Sequence, residues 1–84
     1  MSNKEKLIFK LNETTTVKDI ELFFYSKCHN KQLLLDVSKN ASLSSSIISF
    51  VLEKKDKIFL LNPTERILVI LKLLAVEKII KIVN

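Results

Sequence analysis

The sequence predicts a small α/β domain with an open, mainly parallel four-stranded sheet and about three helices. Four short runs rich in apolar and β-branched residues alternate with three segments in which apolar residues recur at helical spacing. Strands that are linked through single helices pair in parallel, through right-handed crossovers. The chain has 84 residues, of which 48% are hydrophobic, so we expect one domain over residues 1–84.

The first strand is predicted at residues 6–11, KLIFKL, where β-branched, aromatic and apolar residues form a short run. A helix follows the loop NETTT, because Thr16 can cap it and Asp19 lies in its first turn, where the helix dipole favours negative charge. CHNKQ ends this helix. Four residues share its apolar face: Val17, Ile20, Phe24 and Cys28.

The second strand is predicted at residues 33–37, LLLDV, a continuous apolar run typical of a strand covered on both faces. After the loop SKNAS, a cluster of serines opens a helix of about ten residues. Lys54 and Lys55 lie at its C-terminal end and complement its dipole. Its apolar stripe consists of Ile47, Ile48, Val51 and Leu52.

The third strand is predicted at residues 57–61, KIFLL, and a short last strand at residues 79–83, IIKIV. Between them, NPTE predicts a helix start with Asn62 as the N-cap, Pro63 at the first helical position and Glu65 at the third. We expect this helix to end near Ala75.

The last helix is apolar on two sides. Its predicted core stripe consists of Ile67, Ile70, Leu71 and Leu74. A second apolar set, interrupted only by Lys72, consists of Leu68, Val69, Leu73 and Val76. Either the small fold buries both sides, or the second set is a docking or self-association patch that would support a homodimer.

The charge distribution argues against a nucleic-acid partner, although the formal net charge is +5. Basic residues are spread along the chain from Lys4 to Lys81, and acids interrupt their densest run, EKKDK. Thirteen of the fourteen are lysine, which disfavours bidentate reading of bases. We interpret them as a solvated surface.

The expected compartment is the cytoplasm, without direct insertion into a membrane. The single cysteine, Cys28, excludes an internal disulfide and suits a reducing environment. MSNKEK lacks the apolar core of a signal peptide. The run ILVILKLLAV is shorter than the roughly 20 residues that span a bilayer, and Lys72 interrupts it.

We expect neither catalysis nor a bound metal or cofactor. The only histidine, His29, adjoins Cys28, and adjacent helical residues point about 100° apart, so the two would not converge as a catalytic pair. Cys28 is instead interpreted as a buried apolar residue and His29 as a helix-end cation. Without glycine there is no phosphate-binding loop, and the acidic residues are dispersed.

With this order of elements, the chain resembles the STAS domain family of anti-sigma-factor antagonists. The resemblance is carried by LLLDVSKNASLSSSIISFVLEKKDKIFLLNPTERILVILKLLAVEKIIKIV, and TTTVKDIELFFY is similar to the family's first helix. Most of residues 7–83 are covered, the second half more specifically. In the family, a strand of the type hhhDhS (h, hydrophobic) leads to a turn of the type h-D-S-S-G and then to a helix.

The serine segment departs from that turn. Aligned on it, Ser44 takes the place of the family's aspartate, Ser45 that of its first serine and Ser46 that of its phosphorylated serine. Ile47 replaces the family's glycine.

The resemblance implies a regulatory module that docks a protein partner through the serine turn and the helix after it. That partner surface consists of Ser44, Ser45, Ser46, Ile47, Ser49 and Phe50. In the family, phosphorylation of the turn serine breaks the complex with an anti-sigma factor that is a serine kinase, and Ser46 or Ser45 would take that role. A second branch comprises short STAS subunits that bind the ATPase of bacterial phospholipid-transporting ABC systems.

Two interpretations of the serines remain open. Ser44 as the N-cap would let Leu43 and Ile48 form a hydrophobic staple, and helix capping then explains one serine. Ser45 and Ser46 would lie in the first turn, where a phosphate is stabilised by the helix dipole and would repel an apolar partner.

Overall fold

The computed structural model describes residues 5–39 and 43–84 of the chain, in which strands and helices alternate strictly. The strands are β1 (Lys6–Lys10), β2 (Gln32–Asp36), β3 (Ile58–Leu61) and β4 (Ile82–Val83). The helices are α1 (Val17–Lys27), α2 (Ser45–Glu53) and α3 (Glu65–Leu73). This confirms the predicted α/β class with an open four-stranded sheet. The start of MSNKEK and the end of the predicted loop SKNAS lie outside the described residues.

The four described strands form one parallel sheet in which their order is the same as their order in the chain. The register aligns Leu33 of β2 with Ile58 of β3, and Leu35 with Leu60. The prediction that these two strands are neighbouring, parallel and central is therefore confirmed. Together they form the middle of the sheet.

All three helices of the described residues lie on one face of this sheet. Right-handed crossovers between parallel strands that advance in one direction place every helix on the same side. The burial pattern agrees, because alternate strand residues share a single core cluster with the three helices. Its fully buried members include Ile20, Leu33, Leu35, Val51, Ile58, Leu60, Ile67 and Leu71.

Leu33, Leu34 and Leu35 are all buried, as expected of a strand covered on both faces, but the described helices cover only one of the two faces. Leu33, Leu35 and Val37 face the helices, whereas the side chain of Leu34 alternates to the other face and is buried apart from the core cluster. No described helix packs there, and neighbouring strand residues cover Leu34 instead. The physical reason is that the strands follow one another across the sheet in chain order, so every right-handed crossover places its helix on the same side.

The sequence predicts the N-cap of the first helix correctly and the N-cap of the third helix incorrectly. Thr16 forms a capping box with Asp19, as the predicted start of α1 requires. The predicted N-cap at Asn62 is wrong, because Thr64 caps α3 and accepts a hydrogen bond from the amide of Ile67 at 3.2 Å. Asn62 still belongs to the sheet, since its amide donates to the carbonyl of Val83 at 2.8 Å.

The C-terminus of α3 ends in a Schellman motif built without glycine. Ala75, with a φ of 59°, donates to the carbonyl of Lys72 at 2.9 Å, and Val76 donates to that of Leu71 at 3.0 Å. The same left-handed region is occupied by Asn30 and Asn62, a residue type that tolerates it better than alanine does.

The chain changes direction at this motif, and the core residues near the end of the last helix therefore differ from those predicted. Leu74, predicted in the core stripe, is exposed, while Val76, predicted outside it, packs against the core. Leu68, Val69 and Leu73 are exposed, so the second apolar set is mostly on the surface. The last strand is shorter than predicted, because residues 77–79 form a turn.

Replacing Leu35 by alanine should lower the free energy of unfolding by about 2–5 kcal/mol, because it removes a fully buried side chain from the core. Chemical denaturation measures this change. Leu73→Ala is the matched control, since Leu73 is 80% exposed and its truncation should stay within about 0.5 kcal/mol of the parent. Equal small effects for both variants would place Leu35 outside the core.

Replacing Ala75 by glycine should raise the free energy of unfolding by about 1 kcal/mol, because glycine adopts a positive φ without the steric penalty of a Cβ. Lys72→Gly, at the second-to-last residue of α3, should instead lower the free energy of unfolding by about 0.5–1 kcal/mol. Denaturation curves that show a loss for both variants would contradict the left-handed assignment of Ala75.

Candidate functional site at the start of the second helix

The serine segment lies at the carboxyl edge of the sheet, because α2 follows β2 along the chain. Loops at the same edge carry further hydroxyl groups after β1, where Thr14 and Thr15 both donate to Oδ1 of Asn12, at 2.7 and 3.2 Å. The candidate site is therefore part of a hydroxyl-rich edge.

Ser44 is the N-cap of α2, as predicted. Its Oγ accepts a hydrogen bond from the amide of Ile47 at 3.2 Å, and its backbone is extended, with a φ of −69° and a ψ of 156°. Leu43 and Ile48 are both buried in the core cluster, at the positions of a hydrophobic staple. One serine thus completes the cap.

The six residues predicted to bind a partner divide into two groups. Ser44, Ser45, Ser46 and Ser49 are exposed, and we call them the serine surface. Ile47 and Phe50 are only 4% and 5% exposed, because they lie three residues apart on the side of α2 that faces the sheet. Phe50 packs edge to face with Phe24 of α1, with ring centroids 5.8 Å apart. These two side chains support the helix from beneath.

The first turn of α2 differs in charge from those of the other two helices. Asp19 lies in the first turn of α1 and Glu65 in that of α3, whereas that of α2 contains no acidic residue. The unpaired amide groups and the dipole give the start of a helix a partial positive charge. Ser45 and Ser46 lie at this uncompensated end.

Asp36 and Ser38 form a feature of the same edge that the sequence interpretation missed. Oδ1 of Asp36 accepts hydrogen bonds from the hydroxyl of Ser38 at 2.7 Å and from its amide at 3.0 Å. The Ser38 hydroxyl, then its amide, and more weakly Lys10 and Lys39 lower the pKa of Asp36. An aspartate two residues before a serine at the end of an apolar run is the local pattern of such a turn.

Cys28 and His29 lie at the opposite edge, where α1 ends. Cys28 is the buried C-cap, and burial raises the pKa of its thiol despite the nearby Lys31. His29 is exposed, and both residues line one open pocket at this edge together with Lys54 and Lys57. The predicted burial of Cys28 is confirmed.

Within residues 5–39 and 43–84, no three His, Cys, Asp or Glu side chains are grouped closely enough to hold a metal ion. Over the same ranges, none of the helices has the length and apolar character needed to cross a bilayer.

Comparison of the chain with protein-family models, with curated proteins and with solved structures finds no match.

The carboxylate of Asp36 should stabilise the fold at neutral pH but not in acid. Its pKa is lowered in the folded protein, so its contribution is complete above the ordinary aspartate pKa of about 3.9 and is lost as the pH falls through the folded value. Ser38→Ala removes one donor and should raise the pKa of Asp36, which NMR titration of the carboxyl carbon measures.

The same variant should unfold more easily than the parent at pH 7, and the gap should close below the folded pKa. Ser26→Ala, an exposed serine in α1, is the control and should follow the parent at every pH. A stability gap for Ser38→Ala that persists unchanged in acid would show that the carboxylate is not its cause.

Proposed function

We propose that this protein is a non-catalytic regulatory module that docks a protein partner through the serine surface. The observation that carries the proposal is a difference among the serines. Ser44 caps α2, whereas Ser45, Ser46 and Ser49 are exposed beside it. Capping alone would leave those three without a role. The resemblance to anti-sigma-factor antagonists supports the same surface and suggests an anti-sigma factor with serine kinase activity as the partner.

The proposal includes a switch by phosphorylation of Ser46, or of its neighbour Ser45. Ser46 is the second residue of α2 and is exposed, and its turn contains no acid that would repel a phosphate. A phosphate there adds up to about two negative charges next to unpaired amide groups, which stabilises the helix locally. The same charge disfavours a partner that buries this turn without a counter-ion.

The alternative partner is the ATPase of a bacterial phospholipid-transporting ABC system, which short members of the resembled family bind. The same turn and helix would form that contact. Affinity capture from the native cell, followed by intact-mass measurement of the recovered bait, distinguishes these partners and detects a phosphate. Recovery of nucleic acid instead of a protein would overturn the docking proposal.

Ser46→Asp should abolish capture of the partner while leaving the fold intact, with the free energy of unfolding unchanged or raised by about 0.3–1 kcal/mol. Ser46→Ala should bind nearly as the parent does. Ser44→Ala should lower stability by about 1 kcal/mol and affect binding only through the helix. Affinities and melting curves are measured for all three variants.

Ser26→Asp provides the matched charge control, because it adds the same charge at the amino edge of the sheet, where α1 ends. It should retain the partner. If Ser46→Asp binds as tightly as Ser26→Asp, the serines serve as a cap and the proposed switch is wrong.

A further inference from the structure

One face of the sheet has no helix packed on it among the described residues. Since the three helices share the other face, alternate strand residues point away from the core. We call this surface the open face, and its apolar members are Ile8, Leu34, Phe59, Leu61 and Val83. They lie outside the core cluster and outside the side chains packed against it.

These side chains form a continuous apolar patch across the four strands. The register places Ile8, Leu34 and Phe59 in one row, and Leu61 beside Val83 in the next. Ile8 is 54% exposed, yet Leu34 between its two neighbours is only 8% exposed, so the row is closely packed. Parallel sheets are normally covered on both faces, and an uncovered apolar patch marks a binding surface.

The dimensions of the open face suit one short helix. Three strand spacings of about 4.8 Å and five residues of about 3.3 Å give a face of about 14 by 16 Å. This is roughly 200 Å² of flat area. A helix about 10 Å wide covers 16 Å of length in about three turns.

The charges around the open face point to an acidic occupant. Lys6 and Lys10 flank Ile8 on the edge strand. Lys81 lies beside Phe59, with its Nζ 5.5 Å from the ring centroid, but it is already paired with Asp56 at 3.7 Å, so Lys6 and Lys10 are the cations that an occupant would meet. Asp36 is the one carboxylate that the register places on this face of the described strands, and it is already bonded to Ser38. Neither Lys6 nor Lys10 lies within 4 Å of a described carboxylate oxygen, although Lys10 adjoins Asp36 in the register and helps to lower its pKa.

Charge also decides among the other occupants. A second copy would bring a basic rim against an identical basic rim, which is repulsive. Single-stranded nucleic acid is bound by several aromatic side chains on which bases stack, and Phe59 is the only aromatic residue of the open face within the described strands. An acidic helix with an apolar stripe would pair its carboxylates with the lysines and pack its stripe on the apolar patch.

We infer that the open face is a second docking surface, which binds an acidic amphipathic helix of a protein partner. The apolar stripe of that helix packs on Ile8, Leu34 and Phe59, and acidic residues flanking the stripe contact Lys6 and Lys10. This surface lies on the opposite side of the sheet from α2. It therefore does not depend on the serine surface or on its phosphorylation.

A displayed library of 18-residue helical peptides tests this inference. Its apolar stripe is fixed as leucine at positions spaced i, i+3, i+4 and i+7, and the flanking positions vary among glutamate, lysine and alanine. Selection on the immobilised protein should enrich glutamate. An enriched peptide, added to the labelled protein, should shift the NMR amide signals of β1, β2 and β3, and its affinity should fall as salt is raised.

Two variants of the open face should lower the affinity for the enriched peptide at least tenfold. Ile8→Glu places a charge in the apolar row, and the double variant Lys6→Glu with Lys10→Glu reverses the rim without altering the patch. Leu73→Glu is the matched control, because Leu73 is a still more exposed apolar residue on the helix side and should bind as the parent does. Melting curves establish that each variant is folded.

The outcomes are distinguishable from those of the serine surface, because Ser46→Asp should leave peptide binding unchanged. Enrichment of lysine or of no sequence, or equal binding by folded Ile8→Glu, would overturn the inference. So would NMR shifts confined to α3. Sedimentation equilibrium that shows a dimer lost in Ile8→Glu would make a second copy the occupant, and shifts of the same strands by a twelve-residue oligothymidine would assign the face to nucleic acid.

Discussion

The placement of all three helices on one face of a parallel sheet is the constraint on which the rest of this structure depends. It buries Leu33 and Leu35 of β2 and Ile58 and Leu60 of β3 completely, and these side chains form the floor of the core. Parallel strands also require every helix to begin at the carboxyl edge. The caps, the hydroxyl-rich loops and the serine surface lie there for that reason.

A chain without glycine has to meet the demands of turns and helix ends with other residues. Asparagine takes the left-handed position after α1 and after β3, where its short polar side chain is tolerated. At the end of α3 the left-handed conformation is adopted by Ala75, which has no polar side chain to make it tolerable. The caps use hydroxyls throughout, with Thr16, Ser44 and Thr64 beginning the three helices. Local backbone chemistry is thus satisfied mainly by short polar side chains.

The two proposed docking surfaces differ in chemistry because they lie on opposite sides of the sheet. The serine surface is uncharged and lies at the positive end of α2, which contains no acid in its first turn. The open face is apolar at its centre and basic at its rim, with Lys6 and Lys10 on the exposed edge strand. A charge placed on one surface is separated from the other by the buried core, so each is expected to respond to substitution by itself.

The sequence alone determined the alternation of elements and the caps at Thr16 and Ser44, because these depend on residues close together in the chain. It predicted the parallel pairing of β2 with β3 through the rule for strands linked by a single helix. Only the tertiary structure decided that Leu34 faces away from the helices, that Leu74 leaves the core, and that Ile47 and Phe50 lie beneath the serine surface. The apolar run LLLDV contains no information on which face receives helices. That choice depends on the order of strands in the sheet, which is set by contacts between segments distant in the chain. The periodicity of apolar residues reflects only residues that are close together in the chain.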